Sequence, residues 1–320
     1  MRQVVPAGAD GHAHAMSFRV ADAEAAPAVL PASPPDEASE SAGLAAPAAE
    51  RPTCETIGRH ALWRGDCLEV LPALPAESVD VIVTSPPYNI GLAYRRYDDR
   101  REEAEYLDWM VAVAGALRRV LRPDGSFFLN ISGSNSRPWL PFELIVRLRP
   151  LFALQNHITW IKSIATGVDS VGHYKPLGGA RFLNHNHEHI FHLTLNGDVQ
   201  LDRLAVGVPF KDKSNIARRK HARDLRCRGN TWFIPYATVR TRAQKYHHPG
   251  TFPIDLPRWC IRLHGRPGAA VLDPFAGAGT TLVAAELEGA SGTGIELDPD
   301  YVAAARERLR ESLTAPGTAG

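Results

Sequence analysis

Asp273-Pro274-Phe275-Ala276-Gly277-Ala278-Gly279-Thr280-Thr281 decides how this chain is read. The apolar run Ala269-Ala270-Val271-Leu272 before it reads as a buried strand, and residues 280–288 after it read as a helix. Gly277 and Gly279 let the backbone come close to a ligand where a Cβ would intrude. Roughly twenty residues further on, a second strand over 292–296 ends in Gly294-Ile295-Glu296, whose carboxylate can take both hydroxyls of a ribose. Strand, glycine turn, helix and acidic strand end together follow the nucleoside-binding logic of Rossmann-type sheets. The full dinucleotide fingerprint is missing, and no Lys-Ser/Thr pair follows as in a phosphate loop. The turn therefore favours a nucleoside without a pyrophosphate.

A second motif lies far upstream. Val79-Asp80-Val81-Ile82-Val83 reads as a buried strand running into Thr84-Ser85-Pro86-Pro87-Tyr88-Asn89. Ligands of open α/β sheets bind at this carboxyl edge of the strands. Pro86 and Pro87 stiffen the loop. Ser85 and the Pro86 carbonyl can accept hydrogen bonds from an amino group, and Tyr88 offers a flat face to a planar ring. The lone pair of an aromatic amine is delocalised into its ring. Two acceptors holding the amine hydrogens push the nitrogen toward tetrahedral geometry and free that pair for attack. The bland alternative is a proline-rich turn after a strand.

The remaining pattern is that of an α/β sheet layered with helices. Helical spacing covers 102–121, with Pro123-Asp124-Gly125 as its stop, then 141–148, 253–263 and 298–313. Strands are expected over 126–131, 154–161 and 188–195. At 320 residues and 44% hydrophobic content the chain can bury a sizeable core. Residues 1–55, dominated by Ala, Pro, Ser and acidic side chains, are expected to form a disordered tail, with His12 and His14 as solvated members of it. Cys54, Cys67, Cys227 and Cys260 form no CxxC pair, which argues against a zinc ribbon or a disulfide framework. There is no run of eighteen apolar residues and no secretory layout at the N-terminus, so a cytoplasmic protein without a membrane span is expected.

In the order of its motifs the chain resembles the amino-methyltransferase family of bacterial DNA modification enzymes, in the permuted β-type arrangement. Ser85-Pro86-Pro87-Tyr88 comes first, a recognition region follows, and Asp273-Pro274-Phe275 with Gly277, Gly279 and Thr280 comes last. Gln-directed protein methyltransferases share a related loop but place the cofactor motif first. Three further segments carry the likeness, of which Leu121-Arg122-Pro123-Asp124-Gly125-Ser126 is similar to the family's helix-to-strand turn. Trp63-Arg64-Gly65-Asp66 resembles the segment whose acidic residue contacts the cofactor adenine. His248-Pro249-Gly250-Thr251-Phe252-Pro253 resembles the one closing the methionine end of the pocket. The resemblance implies a Rossmann-like methyltransferase fold with a mixed seven-stranded sheet, helices on both faces and an inserted target-recognition region. It implies S-adenosyl-L-methionine as cofactor, held by Asp66, Phe252, Asp273, Pro274, Phe275, Gly277, Gly279, Thr280 and Glu296. Ser85, Pro86, Pro87 and Tyr88 are the implied catalytic residues. The methylated base is flipped out of the duplex, and the methyl moves by direct displacement. Ser before Pro-Pro-Tyr is more usual for cytosine N4 and Asp for adenine N6, so Ser85 leans toward cytosine, with adenine as the alternative.

The domain plan that follows is a catalytic half over 56–195, a basic insert over 196–247 and a cofactor half over 248–320. Net charge is only +1, so any nucleic-acid surface must be local. Between 196 and 248 twelve Lys and Arg face four Asp, with Trp232, Phe233 and Tyr236 interleaved. That is either a phosphate-contacting surface or a solvated basic loop. The arginines and lysine at Arg218, Arg219, Lys220, Arg223, Arg226 and Arg228 are the candidate contacts to double-stranded DNA. His185, His187, His189 and His192 are read as polar residues of a sheet edge near DNA, in preference to a metal site. A cognate restriction endonuclease is a candidate partner, and the enzyme is expected to be a monomer or a homodimer. A catalytically silent DNA-binding relative is the rival from another class, and RNA or protein methylation a third reading.

Overall fold

The computed structural model describes residues 51–92, 94–165, 170–172, 180–218, 223–236 and 251–314. Period-two alternation sets the layers. In β4 (Leu121–Ile131), Phe127, Leu129 and Ile131 point into one apolar cluster while Phe128 points into another. The first cluster is closed by α2 (Glu103–Val120) and α3 (Leu140–Leu148), through residues such as Met110, Leu117 and Leu144. The second is closed by α5 (Asp255–His264) and α6 (Thr280–Leu287). Helices thus cover both faces, as a sheet with apolar residues on both sides requires.

The other strands are β1 (Thr53–Ile57), β2 (His60–Arg64), β3 (Val79–Thr84), β5 (Ala153–Ile161), β8 (His187–Thr194), β9 (Thr231–Phe233), β10 (Ala270–Asp273) and β11 (Ser291–Glu296). With β4 they form one mixed sheet, in the order β1-β2-β11-β10-β3-β4-β8-β5-β9. β2, β11, β10, β3 and β4 run parallel, while β8 is antiparallel to both its neighbours. β6 (Ser163–Ala165) and β7 (Ser170–Gly172) make a separate hairpin. The remaining helices are α1 (Cys67–Val70), α4 (Ser214–Arg218) and α7 (Pro299–Thr314).

The sheet has nine strands among the described residues rather than seven. The seven from β2 to β5 are extended at one edge by β1, hairpinned onto β2, and at the other by β9, parallel to β5. β1 begins at Thr53, so the tail assigned to 1–55 gives way to sheet before its end. The rest of that tail, residues 1–50, lies outside the described residues. The helix read over 102–121 ends at Val120, and β4 starts at once. Val79 pairs with Leu121 and Val81 with Ser126, so Arg122 to Gly125 bulge out of the ladder in place of a connecting turn.

β9 also changes the reading of the basic insert. Trp232 is 1% exposed and packs in the second core cluster beside Trp160. Its indole donates to the Gly229 carbonyl at 3.2 Å, and the Trp160 indole donates to the Ile234 carbonyl at 2.9 Å. These aromatics are core, because pairing with β5 turns them under the sheet edge. Trp232→Ala should therefore cost about 3–5 kcal/mol of stability in a denaturant titration. A surface aromatic contacting DNA would lose affinity with stability unchanged.

Candidate active site

Parallel pairing of β3 and β10 brings the two motifs to the same edge of the sheet, 189 positions apart in the chain. Asp273 ends β10 and is fully buried among partners. One carboxylate oxygen accepts from the Thr84 hydroxyl at 2.6 Å and the Phe275 amide at 3.1 Å. The other accepts from the Thr281 hydroxyl at 2.6 Å. Burial raises its pKa to about 6 against those stabilising donors. Gly277 and Gly279 both take positive φ, 51° and 75°, and a Cβ on Gly279 would lie 2.9 Å from the Ala305 Cβ of α7. Only glycine lets the turn lie flat between the sheet and α7.

The resulting cleft is lined by Asp66, Ser85, Pro87, Phe252, Asp273, Pro274, Phe275, Gly277, Thr280 and Glu296, which the sequence singled out. Pro86, Tyr88 and Gly279 are not in its wall. Asp66 caps α1, one oxygen accepting from the Leu68 amide at 2.7 Å. Glu296 accepts from the Gly277 amide and the Asp298 amide, each at 2.8 Å, and burial raises its pKa to about 7. The Thr280 hydroxyl accepts from Arg308 at 3.0 Å. Sequence reading missed a large part of the wall. Tyr94, Arg95, Tyr97 and Arg101 come from the loop after the catalytic motif, Trp109 from α2, and Asp298 and Tyr301 from the start of α7. Asp298 Oδ2 is buried in that wall and has no hydrogen-bond partner. The only sequence signal for this loop was its density of Tyr and Arg.

The catalytic loop is braced from several sides. The Tyr106 hydroxyl donates to the Pro87 carbonyl at 2.8 Å. The Asp99 carboxylate accepts from the amides of Asn89, Ile90 and Leu92 at 2.7, 3.1 and 2.9 Å, and Asn89 sits at a positive φ of 57°. Ser85 Oγ donates to the Tyr88 hydroxyl at 2.8 Å, and that hydroxyl donates to Glu188 at 2.9 Å. Burial first, and the Glu188 charge second, hold the Tyr88 phenol well above its ordinary pKa, so it stays neutral.

These features coincide with known proteins. Residues 79–307 match the family model described as DNA methylase, of the N6/N4 methyltransferase type. The chain belongs to that DNA methylase family. It is 32% identical over 250 residues to the DNA adenine methyltransferase YhdJ of Escherichia coli (strain K12), covering 77% of this chain and 81% of that one. It is also 32% identical over 279 residues to the Type II methyltransferase M.Cfr9I of Citrobacter freundii, covering 78% and 87%. Among solved structures, TTHA0409 of Thermus thermophilus in complex with S-adenosyl-L-methionine aligns with TM-score 0.53 and 25% identity, over 80% of this chain and 94% of that one. The PvuII DNA methyltransferase (cytosine-N4-specific) aligns with TM-score 0.59 at 23% identity, over 78% and 86%, a likeness of fold. The chain is thus an S-adenosyl-L-methionine-dependent DNA methyltransferase. Its cleft fits that cofactor: aromatic walls, two glycines under a nucleoside-sized turn, and buried acidic acceptors, one of them with an unpartnered oxygen.

The other singled-out residues fall apart. Arg219 and Lys220 lie outside the described residues, as do His248 to Gly250 of the segment before the cofactor motif. Arg218, Arg223 and Arg226 are exposed. Arg228 is half-buried instead. It donates to the Val206 carbonyl at 2.8 Å and stacks over the Trp259 ring at 4.0 Å, and burial lowers its pKa. Those contacts tie Arg228 to α5 and to the segment before α4. His192 is likewise no edge residue: it is buried, stacked on Phe128 and bonded to Ser126 and Asn156. His189 pairs with His157 at 2.9 Å. Among the described residues no three such side chains are placed to hold a metal, and no helix is long and apolar enough to cross a membrane.

Asp273→Ala would leave two threonine hydroxyls and an amide without their charged acceptor. It should cost at least about 3 kcal/mol in a denaturant titration, whereas Thr281→Val, which removes one donor, should cost about 1 kcal/mol.

Proposed function

We propose that this enzyme methylates cytosine N4 in double-stranded DNA. Ser85 carries the reading. Its proton is committed to Tyr88, so its oxygen presents only lone pairs to the cleft, a neutral acceptor for an amino hydrogen. In the family that the motifs resemble, Ser at this place is more usual for cytosine N4. S-adenosyl-L-methionine supplies an electrophilic methyl on its sulfonium. Asp66 and Glu296 are proposed to accept from its adenine and ribose, and Phe252 and Phe275 to cover its apolar faces. The hydroxyl anchor of Tyr88 fixes the plane of the ring on which the flipped base stacks. Arg218, Arg223 and Arg226, exposed on the insert, are proposed to meet phosphates. The name of the Escherichia coli relative favours adenine N6 as a second reading. A restriction endonuclease of matching specificity is a proposed partner, in keeping with the relatives named Type II methyltransferases.

Incubation with labelled cofactor and mixed genomic DNA, followed by nucleoside mass spectrometry, should give N4-methylcytosine. N6-methyladenine would overturn the base assignment. Ser85→Ala should lower the rate by roughly 10²-fold with cofactor affinity intact. The ribose hydroxyls need an ionised Glu296, whose pKa is about 7. Cofactor affinity should therefore be full above pH 8 and fall as pH drops through about 7. Calorimetry on Glu296→Gln should show weaker binding without that dependence.

A further inference from the structure

Methylation of a neutral amine leaves one proton too many on nitrogen. The new N–C bond takes the amine lone pair, the methyl–sulfur pair departs with sulfur, and one N–H proton must go elsewhere. Ser85 touches the cleft, yet a serine hydroxyl is far too weak a base to keep that proton.

Behind Ser85 the two hydroxyl hydrogen bonds run toward Glu188, and the Asn130 amide reaches the same group, Ser85 Oγ included at 3.5 Å. Ser85 Oγ donates to Tyr88 Oη at 2.8 Å, and Tyr88 Oη donates to Glu188 Oε2 at 2.9 Å. Asn130 Nδ2, from β4, donates to the same Glu188 oxygen at 2.8 Å and also to Tyr88 Oη. The Asn130 amide nitrogen thus faces this cluster, while its Oδ1 is buried without a partner. Lys162, just past β5, holds the other Glu188 oxygen at 2.9 Å. The Glu188 side chain is 14% exposed and that of Lys162 18%, enough to pass a proton on to water. The remaining charged or titratable groups near Glu188 are His187 and His189 along its own strand and Tyr236 beyond β9.

We propose that Glu188 is the acceptor of the methylation proton, reached through the hydroxyls of Ser85 and Tyr88. An amine proton moves to Ser85 Oγ, the serine proton to Tyr88 Oη, and the phenol proton to Glu188. The serine and the tyrosine end as they began, the methylated amine is neutral, and Glu188 is a neutral acid beside Lys162. Glu188, Asn130 and Lys162 are positioning residues: none touches the base. The proposal rests on the amine-methylating reading above and adds where its proton goes.

Single-turnover methylation of DNA by the full chain, followed against pH, tests it. Wild type should show an acidic limb from ionisation of Glu188 and a curved proton inventory in mixed H2O/D2O. Glu188→Gln should lower the rate about 100-fold and abolish the limb, with cofactor and DNA affinity unchanged. Tyr88→Phe should lose as much, and the double variant no more than either single one. Lys162→Met removes the cation that favours the ionised carboxylate, so its limb should move to higher pH. This variant decides the matter if Glu188→Gln fails to bind cofactor. A Glu188→Gln enzyme with wild-type rate and limb, or an unmoved limb in Lys162→Met, overturns the relay. A wild type that labels no DNA overturns the functional reading itself, and the relay with it.

Discussion

The buried carboxylate of Asp273 is what the rest of the site depends on. It receives hydroxyls from Thr84 at the end of β3 and from Thr281 in the first turn of α6, and an amide from the glycine turn. The residue after Thr84 is Ser85. One side chain thus ties the loop that handles the amine to the turn proposed to hold the methyl donor. Displacement at a methyl group depends on in-line approach, and a misplacement of an ångström is costly. Burial makes the tie expensive to ionise, and three donors offset that expense.

A second constraint is the order in which strands meet. β8 lies between β4 and β5, antiparallel to both. Asn130, Glu188 and Lys162 come from or beside these three strands, and the sheet register gathers them behind the catalytic loop. The same register sends His192 inward, where it and His264 share the Ser126 hydroxyl at 3.1 Å each. Charge alone would not have separated these fates. Glu188 and His192 are four positions apart, yet one joins the catalytic network and the other fills the core.

Much of this architecture was legible in the chain. Apolar runs of four or five residues ending in turn motifs gave β3 and β10, because buried parallel strands are nearly all apolar, and the acidic end Gly294-Ile295-Glu296 gave β11. The helical spacing of α2, α5, α6 and α7 was equally plain, with bounds off by one or two residues. β1, β2 and β9 were not legible. Two five-residue strands of mixed polarity and a three-residue strand carry too little periodicity, and each forms because a neighbouring strand offers an open edge. Trp232 misled for a related reason. A basic, aromatic-bearing segment has the composition of a nucleic-acid surface, but the core claimed Trp232.

Sequence alone was enough for the chemistry of the two motifs, their order, and hence the family. Those are local properties: a glycine turn, a proline-stiffened loop and an acidic strand end look the same wherever they fold. The tertiary structure decided everything that depends on neighbours from elsewhere in the chain. It put Tyr94, Trp109, Asp298 and Tyr301 into the cleft wall. It also set Glu188 within reach of a hydroxyl 100 positions away. Pairing across a sheet joins residues by register rather than by spacing, and no periodicity within one strand reveals which partner lies beside it.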